Sequence, residues 1–150
     1  MATLASAPRA KAPWHLWVVG IVSFLWNCMG AYDYSNTQFG GAEALRKAGM
    51  GADEIAYVQS FPSWATAAWA VGVWFCVIGS ILLLARSRYA VHSFVLSLIG
   101  IIVTMYFSLA MPHPASFDTT TNHVFDAALV AVTIFLTWYA WTMAKKGVLR

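Results

Sequence analysis

Four apolar stretches, each long enough to cross a bilayer, divide this chain, and the charges between them sort by sign. The stretches cover about 14–32, 64–85, 89–110 and 124–144. Each is ~19–22 residues, which as helix matches a hydrocarbon layer of ~30 Å. Arg9 and Lys11 precede the first, Arg86 and Arg88 separate the second from the third, and Lys145, Lys146 and Arg150 follow the fourth. Those are seven of the nine basic residues, all but Arg46 and Lys47. The six acids, Asp33, Glu43, Asp53, Glu54, Asp118 and Asp126, all fall on the opposite side. Lys and Arg concentrate in cytoplasmic connections, so the pattern predicts both termini in the cytoplasm and a multi-pass protein of the inner membrane.

With 60% hydrophobic and 10% charged residues, the chain lies far from the composition of a soluble domain. Its 150 residues hold four spans and little else, and the longest segment outside them, 33–62, is too short for a soluble catalytic domain. The expected fold is all-α: one four-helix membrane bundle over 1–150, with a partly helical outer loop. Within that loop, Glu43 to Ala48 reads as a helix stopped by Gly49, and Asp53 and Glu54 open a second. Ile55, Val58 and Phe61 line one side of it, so the pair is expected on the membrane surface or as a cap on the bundle. Thr119 to Asn122 is suited to capping the fourth span. The net charge of +3 is no nucleic-acid signal, because the basic residues sit at span ends, where topology explains them.

Two targeting and redox questions arise at the first span. Arg9 and Lys11 with Ala31 resemble a signal peptide with a poor cleavage site, but 14–32 is long enough to span, and it is read as a retained helix. Cys28 and Cys76 fall at depths differing by ~10 Å, too far for a bridge between parallel helices, and read as small packing residues.

Small and polar residues recur at three-to-four spacing in every span. The first has Gly20, Ser23, Asn27, Gly30 and Tyr34; the second has Ala65, Ala68, Gly72, Cys76 and Gly79. The third has Ser93, Ser97, Gly100, Thr104 and Ser108; the fourth has Asp126, Thr133, Thr137, Ala140 and Ala144. Lipid supplies no hydrophobic drive between helices, so close backbone approach and short polar links must hold them together. The stripes therefore read as packing rather than as a pore.

A polar and aromatic layer occupies the outer half. Asn27, Asp33, Trp69, Tyr106, His123 and Asp126 are the candidate ligand contacts, with Tyr34, Trp64, Asn122 and His113 at similar depth. Rings with carboxylate and amide groups suit a small polar solute such as a sugar, and packing or simple hydration at the interface accounts for the same residues. A metal site from His113, His123, Asp33 and Asp126 lacks any recognised ligand spacing. Haem ligation by His15, His92, His113 and His123 is disfavoured because all four sit at or beyond span ends. No charge occupies the middle of a span, which counts against an ion-coupled carrier and against the small multidrug exporters. No nucleophile–base pair or phosphate-binding glycine loop names a reaction, so enzymatic activity is not expected.

Several segments carry a resemblance. Trp14-His15-Leu16-Trp17, the run from Leu25 to Tyr34, Phe61-Pro62-Ser63-Trp64, Gly72-Val73-Trp74 and the run from Leu82 to Arg88 resemble a group of small bacterial four-span proteins. The likeness covers three spans well and the fourth weakly. Members often bear the label "sugar transporter", and the resemblance implies a bacterial cytoplasmic-membrane protein. The leading expectation is a solute-binding or transport protein acting as a homodimer, since four spans seldom enclose an alternating-access path. The alternatives are an accessory or assembly subunit of a larger membrane complex and a haem- or metal-binding membrane protein. The expected partners are the lipid bilayer and either a second copy of the chain or a larger membrane complex, and no cofactor is specified.

Overall fold

The computed structural model describes residues 11–150 as six helices and one 3-10 turn. They are α1 (Trp14–Phe39), α2 (Gly41–Lys47), α3 (Ala52–Gln59), α4 (Ser63–Leu84), α5 (Tyr89–Ala110), the turn Ala115–Phe117, and α6 (Thr120–Lys145). Helices α1, α4, α5 and α6 are each long and apolar enough to cross a membrane. The chain is thus an all-α, multi-pass integral membrane protein built as a four-helix bundle. Its basic end holds the start of α1, the α4–α5 turn and the end of α6; its loop end holds α2, α3 and the 3-10 turn. Arg9, assigned by sequence to the basic end, lies outside the described residues.

Helix boundaries follow local chemistry. Helices α1 and α4 begin directly after Pro13 and Pro62, whose missing N–H costs nothing at a helix start. Met111, which precedes Pro112, is extended (φ −95°, ψ 142°) and ends α5. Thr119 caps α6 by accepting from the Asn122 N–H at 3.3 Å, as its sequence suggests. Helix α1 is longer than its apolar stretch and continues through 33–39. Nothing in Asp33-Tyr34-Ser35-Asn36-Thr37-Gln38 breaks a helix, and the stop waits for Gly41, at φ +69°. At 26 residues, α1 is ~39 Å long and projects beyond a ~30 Å apolar layer.

Helix α4 ends unusually. Arg86 N–H donates to Leu83 O at 3.0 Å and Ser87 N–H to Leu82 O at 2.8 Å, the bonding pattern of a Schellman cap. Its left-handed position, which glycine normally fills, is held by Arg86 at φ +58°. The same pattern closes α6, with Gly147 at φ +69°.

Small residues set the packing. Helix α5 lies closest to α4, α1 packs on the other side of α4, and α6 packs on α5. A Cβ placed on Gly79 would fall 2.7 Å from the Phe94 ring, and one on Gly20 would fall 2.5 Å from Leu84 Cδ2. The seam is pinned by hydroxyls: Ser93 Oγ donates to Phe75 O at 2.8 Å, and Ser97 Oγ donates to Gly72 O. Most of the expected stripe is buried: Gly20, Ser23, Asn27 and Tyr34; Ala65, Gly72, Cys76 and Gly79; Ser93, Ser97 and Gly100; Thr133 and Ala140. Gly30 is the departure. It is exposed with open space around it, and Ala31 faces inward instead.

The core is concentrated at the basic end, around Leu16, Leu83, Phe94, Leu136, Tyr139 and Met143, with Val148 and Leu149 folded into it. Toward the loop end the bundle loosens. No residue of α5 beyond Gly100, and none of α6 before Thr133, is buried.

Candidate functional site

Asn27 is the deepest polar side chain among the sequence candidates. Its Nδ2 donates to Ser80 Oγ at 2.9 Å and to Cys76 O at 3.3 Å, and Ser80 Oγ in turn donates to Cys76 O. Every one of those partners is on α4, and Asn27 is 8% exposed. Its donors are therefore committed to joining α1 to α4.

Trp69 belongs to a second assembly. Its ring meets Tyr34 of α1 edge to face at 5.1 Å and Phe61 at 6.4 Å. Phe61 packs on Phe107 of α5 and on Tyr57 of α3, each at 5.2 Å; Tyr57 continues to Phe117 at 5.4 Å. Trp64 closes on Phe107 at 5.0 Å, and the hydroxyls of Tyr57 and Ser108 lie 3.1 Å apart. Edge-to-face pairs of this kind add ~0.5–1.5 kcal/mol each beyond area burial. The aromatic layer thus packs on itself and ties α3 and the segment after it to α4 and α5.

Of the other four candidates, His123 and Asp126 are electrostatic neighbours on α6, while Tyr106 and Asp33 stand by themselves. Tyr106 is 75% exposed, on the face of α5 turned away from the bundle, while its neighbour Phe107 takes the inward position. His123 Nε2 pairs with Asp118 Oδ1 at 2.8 Å on the exposed surface. Asp126 is half-buried on the loosened part of α6. Asp33 is exposed and borders an open groove of ≈ 540 Å³ whose other walls, Leu25, Cys28, Met29 and Tyr32, all come from α1 itself. Asn27 and Trp69 are each fixed by packing, and Tyr106 joins neither.

The remaining histidines have separate environments. His15 is hydrogen-bonded to the Tyr139 hydroxyl, linking α1 to α6, and His113 bonds Met111 O at 3.0 Å. His92 is exposed beside Tyr89. Among the described residues no three His, Cys, Asp or Glu side chains gather as a metal site would need.

One loop contact carries an electrostatic signature. Glu54 accepts from the Gly51 N–H at 2.8 Å, closing the first turn of α3. The Ser116 hydroxyl, from the 3-10 turn, and this N–H hold its carboxyl below the usual glutamate range. The residues missed by sequence reasoning are Tyr57, Phe107, Phe117, Ser80 and the buried tail pair Val148 and Leu149. The polar stripe of α5 pointed to Phe107 over Tyr106, since Ser97, Gly100, Thr104 and Ser108 face the bundle and Tyr106 is about 200° from Ser108.

The fold and this layer define an integral membrane protein whose interior polar groups join its own helices. Comparisons with family models, with curated proteins and with solved structures each returned no match.

Proposed function

We propose that the chain is a non-transporting subunit or assembly component of a larger membrane complex. The observation that carries this reading is the use of the interior polar groups. Asn27, Ser80, Ser93 and Ser97 all bond across helices, and Gly72 meets Gly100 in backbone contact between α4 and α5. The loosened first half of α6 supplies the complementary feature, a length of helix with no buried residue before Thr133. A partner helix would complete the packing there. The charge pattern supports placement in a cytoplasmic membrane with both termini inside, and the likeness of three spans to small four-span proteins supports a bacterial origin.

The test is native mass measurement after gentle extraction from the parent membrane. The proposal expects a mass locked to another polypeptide at fixed stoichiometry. A free monomer under conditions that preserve known complexes contradicts it. The solute-binding reading keeps one favouring observation, the opening of α6 around Asp126 at the loop end. It expects a homodimer with a small-molecule adduct that is lost in Asp126→Asn.

A further inference from the structure

The basic end is assembled by a tail that crosses the bundle. After Gly147 the chain runs back to the α4–α5 turn, where Arg88 N–H donates to Arg150 O at 3.0 Å and Arg150 N–H donates to Arg86 O at 2.8 Å. Arg86 Nε donates to Val148 O at 3.2 Å. Val148 and Leu149 are 5% and 3% exposed, so the tail is anchored in the core rather than trailing in solvent. This ties the chain that follows Lys145 and Lys146 at the end of α6 to the α4–α5 turn, which carries Arg88.

Two of these cations rest on rings. Lys145 Nζ is 3.6 Å from the Trp141 ring centre, and Arg88 Cζ is 5.8 Å from that of Tyr89. A ring engages one side of an ammonium and leaves its other N–H donors available. Arg88, Lys145 and Lys146 are all exposed, and every acid of the chain belongs to the loop end. Trp14, Trp17, Tyr89, Trp138 and Trp141 are exposed at this same end, and such rings settle at headgroup depth.

We propose that Arg88, Lys145 and Lys146, held together by the docked tail, bind the phosphate of an anionic phospholipid headgroup. The charge complements a phosphodiester. The ring belt places the cations at the level where the lipid phosphate lies, which favours a lipid over a soluble anion.

The experiment titrates the purified full chain in neutral detergent with phosphatidylglycerol or phosphatidylcholine of identical acyl chains, reading retained lipid by native mass. Expected is preferential retention of phosphatidylglycerol, reduced about tenfold or more in Arg88→Gln/Lys145→Gln/Lys146→Gln. The charge-neutral pair Val148→Gly/Leu149→Gly, which frees the tail, is expected to weaken retention as well. Equal retention of both lipids, or an unchanged preference in the triple variant, overturns the proposal. Full preference in the folded tail variant overturns the assembled site in favour of diffuse charge. Displacement by equimolar glycerol phosphate overturns the assignment to a lipid. Should the tail variant not fold, the triple variant, altered only at exposed side chains, decides alone.

Discussion

Gly100 of α5 and Gly72 of α4 are in backbone contact: a Cβ on Gly100 would lie 2.5 Å from Gly72 N and 2.6 Å from Ala68 O. Neither atom can move without shifting a helix. Gly100→Ala is therefore expected to destabilise the protein by ~1–3 kcal/mol or more, the usual cost of overpacking. Gly30→Ala, where a Cβ meets nothing within 4 Å, should be neutral or gain up to ~1 kcal/mol from helix propensity. Thermal unfolding of both variants in the same detergent checks the contrast, and equal effects would contradict the seam.

Asn27 and Ser80 offer a test of structural linkage. Asn27→Ala, Ser80→Ala and the double variant form a cycle whose coupling should be ~0.5–1.5 kcal/mol, the range for hydrogen bonds between membrane helices. Denaturation in mixed micelles reads it. A coupling of zero would free Asn27 for another role.

Much of this architecture is legible in the chain because the bilayer constrains it. Span length is fixed by membrane thickness, and the recurrence of Gly72, Cys76 and Gly79 can serve only close approach. The candidate layer was less legible. Phe61, Phe107 and, through Tyr57, Phe117 are joined from three separate segments, and local periodicity does not encode contacts of that range. Helix α1 outran its apolar stretch because polarity at 33–38 marks the membrane boundary, not a helix end. Val148 and Leu149 gave no signal either, since three residues after Gly147 are too few to show a period.

At Arg86 two terms oppose each other. Glycine would remove the strain of a left-handed residue, worth ~1 kcal/mol, but would lose the Nε bond to Val148 O. Arg86→Gly should leave global stability within about 1 kcal/mol while loosening the tail. Hydrogen exchange at 148–150 is expected to rise. Unchanged protection there would show that the main-chain pairing holds the tail without the side chain.

The sign of the Glu54 shift gives a pH prediction. Its carboxyl is held below the ordinary value of 4.5, so the native loop favours the charged form. That contribution is present above pH 4.5 and is lost as pH falls through the lower folded value. Exchange of the α3 amides should rise on acidification in that window, and Glu54→Gln should abolish the dependence. A loop that tightens below pH 4.5 would contradict the contact.

The central claim, that the loosened flank of α6 meets another polypeptide, is tested most directly by a photo-crosslinking residue at Val124 or Ala131 in the native membrane. Both positions are exposed, and Ile99 on the outer face of α5 is the control. The account predicts one discrete product with a different polypeptide from Val124 and Ala131 and none from Ile99. Lipid adducts alone, or a product of twice the chain's own mass, would contradict it.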